Sequence, residues 1–268
     1  MILIKNIKGL VQIRPAGLSF VGGAAMRELP SIENAWLTAD DKGSISGFGP
    51  MADCPSGQFK NTIDATGRFV LPAWCDSHTH LVYAGNREKE FEMRLKGATY
   101  QEIAAAGGGI LNSAQKMQDS DIVDVYEESS HRLRAMMQMG TGAIEIKSGY
   151  GLTMETERMM LKIAHRLGYD FDIPVRTSFL AAHAVPEQFQ SSAEYIDHII
   201  ADMLPKIHES GLANYIDIFC EEGYFSLEDT DRLLTAAGHY GLRPKIHVNQ
   251  FTAMGGVALG VKHNALSV

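Results

Sequence analysis

Beyond residue 67 the chain alternates strand-like apolar segments with longer amphipathic runs, and that alternation leaves few folds open. The apolar segments fall at 73–82, 142–147, 175–182, 215–220 and 244–248, with an unfinished one at 265–268. Between them, 120–139 and 153–167 place apolar residues at helical spacing, with acidic groups near the start of each run, where the helix dipole favours them. Strands separated by helices of this length form the βαβ units of a parallel sheet. Residues able to do chemistry recur at the C-terminal ends of several different strands, which fits a (β/α)8 barrel better than a doubly wound sheet. A complete barrel takes about 250 residues and eight strands, and the chain ends in mid-strand on Leu266-Ser267-Val268. The expected fold is therefore α/β: an incomplete (β/α)8 TIM-like barrel over residues 68–268, C-terminally truncated before its last strands.

Residues 1–67 read differently. Short apolar or alternating runs at 2–4, 10–13, 35–38 and 44–48 are separated by Gly, Pro, Asn and Asp, the pattern of a small β domain, here the N-terminal portion of a β-sandwich. With 45% hydrophobic and 21% charged residues the chain can bury a sizeable core. A net charge of −8 with no stripe of Lys and Arg argues against a nucleic-acid partner and leaves a small molecule as the expected one. The three cysteines, Cys54, Cys75 and Cys220, show no C-x-x-C spacing and suggest neither a disulfide framework nor a structural zinc site. No signal peptide opens the chain and no stretch is long enough to span a bilayer, so the expectation is a soluble cytoplasmic protein without a membrane partner. A homodimer is the default assembly.

In Asp76-Ser77-His78-Thr79-His80, side chains two apart on an extended strand share a face, so His78 and His80 both project toward the barrel mouth. Two imidazoles so placed can share one cation, although two ordinary polar residues at a strand end give the same string. Asp76 has the right phase to fix an imidazole tautomer. His247 ends the fifth strand segment, on the rim where a third ligand would meet the first two, yet a lone histidine on a short strand is more often a hydrogen-bonded structural residue. Three neutral imidazoles leave an open position on zinc or iron, the arrangement of a metal-dependent hydrolase. A two-metal site bridged by a modified lysine would want Lys near the end of strand four, and 215–223 contains none, so one metal is expected.

The string Val70-Leu71-Pro72-Ala73-Trp74-Cys75-Asp76-Ser77-His78-Thr79-His80 resembles the signature of the amidohydrolase superfamily, with Ala73 where glycine is usual. Further segments narrow the likeness: Gly85-Asn86-Arg87-Glu88-Lys89-Glu90, Gly107-Gly108-Gly109-Ile110, Glu145-Ile146-Lys147-Ser148-Gly149-Tyr150-Gly151-Leu152 and Ala181-Ala182-His183-Ala184-Val185-Pro186. Together they resemble the imidazolonepropionase family, whose members open 4-imidazolone-5-propanoate with water to N-formimidoyl-L-glutamate in histidine degradation. The resemblance implies one divalent metal, zinc or iron, on His78, His80 and His247, and a substrate pocket lined by Arg87, Tyr100, Tyr150 and His183. Arg87 offers a planar fork matched to a carboxylate; outside the family context its mixed-charge run reads as solvated surface. The tyrosines can donate from apolar walls or simply pack, and His183 can polarise a carbonyl or hold an oxyanion. The triple glycine lacks nucleotide-loop spacing and reads as a turn before a helix.

One departure bears on catalysis. The family commonly follows the strand-five histidine with Ala-Asp-Glu, whereas Val248-Asn249-Gln250 stands here. Gln250 can orient a ring or a water but cannot carry a proton, which moves that task elsewhere, to an aspartate that the family places on its last strand. The rival readings are a different amidohydrolase, such as a cyclic amidine deaminase, and an inactive fragment. On the truncated reading the chain alone is expected to be inactive.

Overall fold

Residues 1–15, 17–99, 102–103, 106 and 108–268 are described by the structure, a computed structural model. The chain divides into two units, Met1–Ala73 and Trp74–Val268.

In the first unit β1 (Ile2–Val11) is the central strand. It pairs antiparallel with β2 (Ser31–Ala39) and parallel with β4 (Asn61–Asp64) and β5 (Phe69–Val70), while β3 (Ile45–Pro50) pairs with β2. Two runs that the sequence separates, 2–4 and 10–13, are thus mostly one strand. The break between them is a register shift between Ile4 and Ile7, and Asn6 within it has φ 56°, a left-handed conformation that asparagine tolerates. Ile7, Leu10, Ala35 and Ala65 make the core of this sheet. Phe69 and Val70 pair with Gly9 and Leu10, which carries the small unit beyond residue 67.

The second unit is built on parallel strands β6 (Trp74–Thr79), β7 (Thr141–Lys147), β8 (Val175–Ala182), β9 (Tyr215–Cys220), β10 (Arg243–Pro244) and β11 (His247–Val248). The order is β10-β9-β8-β7-β6, with β11 also on β9. All of these pairs are parallel, the sheet of a partial (β/α) barrel. The fifth strand segment is interrupted because its backbone changes partner: Lys245 donates to the Ile216 carbonyl, and Ile246 to Ser267. The segment at 265–268 contributes one parallel bridge, Lys245 to Ser267.

Connecting these strands are α1 (Glu88–Leu95), α2 (Gly109–Gln118), α3 (Ile122–Gln138), α4 (Met154–Asp170), α5 (Ser192–His198), α6 (Leu204–Ser210), α7 (Leu227–His239) and α8 (Gly256–Lys262). Asp121 caps α3 by accepting the Val123 N–H, and Ser226 with Asp229 forms a capping box on α7. On α4 the buried Met160, Leu161, Ile163, Ala164 and Leu167 recur at helical spacing and face the sheet. Met160, Leu161, Ile163 and Leu167 each contribute about 1.5–3 kcal/mol by leaving water. A π-helical turn, Ile199–Met203, joins α5 to α6. No helix among the described residues is long and apolar enough to cross a membrane.

Candidate metal centre

Parallel register brings the C-terminal ends of the strands together. Thr79 pairs with Ile146, Lys147 with Ser178, Ala182 with Ile218, and His247 with Phe219. His80 directly follows β6, His183 directly follows β8, and His247 opens β11. The rings consequently converge: His78 Nε2 lies 2.9 Å and His80 Nε2 3.3 Å from His247 Nε2. Among the described residues these three form a group whose ligand atoms all lie within 4.8 Å of one another.

The donor set fits a divalent ion. Imidazole nitrogens bound tetrahedrally at about 2.0–2.1 Å sit about 3.3 Å from one another, and the His80–His247 separation matches. One N–H···N hydrogen bond can satisfy two of the rings but not three. Burial, and then the neighbouring His247, push His78 down to about 4; burial followed by His183 pushes His80 well below its ordinary value. Near neutral pH both are in the unprotonated form that binds metals. His80 Nδ1 is buried without a hydrogen-bond partner among the described residues.

Beneath the triad lies an ionic cluster that the sequence did not reveal. Asp217, on β9 and fully buried, has Oδ2 at 3.0 Å from His247 Nδ1 and 2.8 Å from Lys147 Nζ. Its Oδ1 accepts the backbone N–H groups of His247 (3.1 Å) and Ile218 (2.7 Å). Burial alone would raise this carboxyl, but His247 and Lys147 outweigh it and hold it far below the usual range. Lys147 also reaches Glu145 Oε1 at 2.8 Å, and Ser178 donates to the same oxygen. The available signal was Glu145, Lys147 and Asp217 standing inside otherwise apolar strands. Asp76, the expected imidazole partner, accepts the His78 backbone N–H at 3.3 Å; the carboxylate beside a triad ring belongs to Asp217.

A pocket adjoins the triad. His80, Tyr83, Ala84, Asn86, Arg87, Ser113 and Tyr150 line a cavity of about 320 Å³. The Arg87 guanidinium sits 5.4 Å from the Tyr150 ring, and its Nε donates to Ser113 Oγ at 3.0 Å. Its Nη2 is buried with no hydrogen-bond partner among the described residues. His183 stacks on His80 at 5.3 Å and lies 5.2 Å from Tyr150. Its Nδ1 is 2.9 Å from the Gly149 carbonyl, so Nδ1 carries the proton and Nε2 a lone pair. Burial, and then His247, push this ring down to about 3. Tyr100 and Gly107 lie outside the described residues; Gly108 caps α2 and Gly109 begins it.

The sequence itself has relatives. An imidazolonepropionase of Christiangramia forsetii is 53% identical over 268 residues, which cover 100% of this chain and 65% of the relative. The imidazolonepropionase of Shewanella frigidimarina is 45% identical over 229 residues, 84% of this chain and 56% of the relative. The chain belongs to the imidazolonepropionase family. It spans about two-thirds or less of the length of these relatives, 65% of the first. No family model matches the chain. Among solved structures, a 5-methylcytosine deaminase from Klebsiella pneumoniae aligns with TM-score 0.66 at 13% identity, covering 97% of this chain and 55% of the other. An atrazine chlorohydrolase from Arthrobacter aurescens, complexed with zinc, gives TM-score 0.61 at 15% identity, covering 98% and 58%. These likenesses show a shared fold, built on the parallel (β/α) sheet described above.

Within this family member Gln250 is exposed and lines a cavity of about 450 Å³ together with His78, Lys147, Asp217, Lys245 and His247. Its backbone N–H donates to Glu221 Oε2 at 2.9 Å, as does that of Phe251; Glu221 Oε1 takes the Thr252 N–H and hydroxyl. Glu221 thereby anchors the loop that carries Gln250 beside the triad. A second lysine of that cavity, Lys245, reaches across to the Ser77 carbonyl at 2.7 Å and ties the two histidine-bearing strands together.

Proposed function

We propose that the protein hydrolyses the cyclic amide C–N bond of 4-imidazolone-5-propanoate to give N-formimidoyl-L-glutamate, with one divalent ion, zinc or iron, held by His78, His80 and His247. The convergence of three imidazole rings beside a pocket containing an unpartnered Arg87 Nη2 supports this reading, as does 53% identity to an imidazolonepropionase. When bound, the ion supplies Lewis acidity and lowers the pKa of water near it.

The remaining chemistry belongs to side chains. Arg87 takes the propanoate carboxylate through Nη2, its Nε being held by Ser113. Tyr150, between Arg87 and His183, packs the substrate ring against His80. His183 does not suit the donor role that the resemblance implies: Gly149 takes its Nδ1–H, and burial opposes the second proton that would let Nε2 donate. Nε2 instead accepts a hydrogen bond from the attacking water and orients it, while the proton released as the C–O bond forms and taken up by the ring nitrogen as the C–N bond breaks passes through the last-strand aspartate that the resemblance implies. Gln250 carries no proton and orients the polar groups at the mouth of the site. Metal-loaded full-length protein is expected to consume imidazolone propionate in a spectrophotometric assay. Absence of consumption by protein shown to carry one equivalent of metal would refute the reading.

A further inference from the structure

We infer that Glu157 is a positioning residue that sets Tyr150 and His183 in the pocket by clamping the loop at 149–152; the inference rests on the proposed pocket roles of those two side chains. Glu157 lies in the first turn of α4 and is fully buried. Its carboxylate accepts the backbone N–H of Gly149 (3.1 Å to each oxygen), Gly151 (2.7 Å) and Leu152 (2.9 Å). No cation pairs with it among the described residues, so those amides and the α4 N-terminus are what hold it there. Burial raises its pKa, and the donors named, with Ser148, pull the other way.

The clamp sets the geometry of the pocket. Leu152 is held at φ +60° and Gly149 at +111°; a left-handed leucine costs about 1–2 kcal/mol and persists because its surroundings fix it. With the backbone so turned, the Gly149 carbonyl meets His183 Nδ1, which selects the tautomer that leaves Nε2 as acceptor. Tyr150, between two clamped residues, is carried to the rings of His80 and His183. The glycines on either side are demanded by contact. A Cβ at 149 would fall 2.9 Å from His183 Nδ1, and one at 151 only 2.4 Å from the Glu157 nitrogen. The carboxylate therefore reaches the pocket through one turn of backbone.

The test compares Glu157→Gln with Leu161→Ala, a buried apolar change one turn further along the same helix that removes no hydrogen bond to the loop. In the glutamine variant one oxygen becomes an N–H donor facing the loop amides. Glu157→Gln is expected to shift the His183 ring nitrogens in ¹⁵N NMR toward a mixture of tautomers. It should also lower kcat on imidazolone propionate on the order of 100-fold, with metal content unchanged. Leu161→Ala should lose stability but keep both properties. Unchanged His183 signals in Glu157→Gln would overturn the inference whatever the activity. Normal ¹⁵N signals in a wild-type protein with no turnover would instead count against the proposed reaction. Should the glutamine variant not fold, wild-type hydrogen exchange decides: the amides of Gly149, Gly151 and Leu152 are expected to exchange only through global unfolding, and fast local exchange would sink the clamp.

Discussion

Replacing Asp217 by asparagine separates the metal centre from the scaffold beneath it. The wild-type carboxylate serves His247 Nδ1 at 3.0 Å and Lys147 Nζ at 2.8 Å with one oxygen, and two backbone amides with the other. If the asparagine carbonyl keeps the amides, its NH2 group faces a ring N–H and an ammonium and can accept from neither. Loss of the partner that holds a metal-binding imidazole typically weakens metal affinity about 10–100-fold, or about 1.4–2.8 kcal/mol. Lys147 retains Glu145, so the cost to the fold should stay below the roughly 3–5 kcal/mol of stranding a buried charge outright. Competition of the apoprotein against a chromogenic zinc chelator reads the first quantity, and urea unfolding of the apoprotein the second. Glu145→Gln is the companion: it weakens the pairing of Lys147 without touching His247, and should cost stability while leaving zinc affinity unchanged. Wild-type affinity in Asp217→Asn, or equal losses in the two variants, would show that Asp217 holds the sheet together and not the ring.

Four further outcomes follow from the same contacts. Arg87→Ala removes a charge-assisted contact worth about 1.5–3 kcal/mol and should raise KM for imidazolone propionate about 10–150-fold; a carboxylate-free analogue bound equally by both proteins would confirm the assignment, and an equal loss on both ligands would refute it. His183 has a folded pKa of about 3 against an ordinary 6.5, so below pH 6.5 the unfolded state binds the extra proton; stability is fully present above that value and falls toward pH 3, by about 2 kcal/mol between pH 7 and pH 5 from this group, and apoprotein urea curves that do not shift over that range would contradict it. Zinc at 100 times its Kd should stabilise the protein by about 2.7 kcal/mol, a gain that His247→Ala should abolish in thermal melts. Gly151→Ala drives a Cβ to 2.4 Å from backbone at residue 157 and should lower the melting temperature sharply; an unchanged melt would show that the loop can give way.

Strands β7, β8 and β9 were legible because burial on both faces makes parallel strands continuous apolar runs, and β8 and β9 fall on their expected bounds. The three histidines were legible because strand-end position and two-residue spacing constrain where rings can go. The pairing of Asp217 with Lys147 was not, since charges inside apolar strands signal burial but do not say which distant group they meet. β4 escaped notice because all four of its residues are exposed and show no alternation. Arg87 was legible as a pocket residue only through the family resemblance, because its run of mixed charge by itself reads as solvated surface; Ser113 on α2 takes its Nε and its Nη2 is buried.

The π-helical turn at Ile199–Met203 records a spare residue. A helix that gains one amino acid must either rotate everything downstream by about 100°, from 3.6 residues per turn, or absorb the addition in a wider loop of backbone. Here Ile196 and Ile199 on one side and Met203, Leu204 and Ile207 on the other all stay in the core, so the surplus has been taken up locally. Removing the exposed Ala201 ought to give an unbroken α-helix that keeps both sets of anchors.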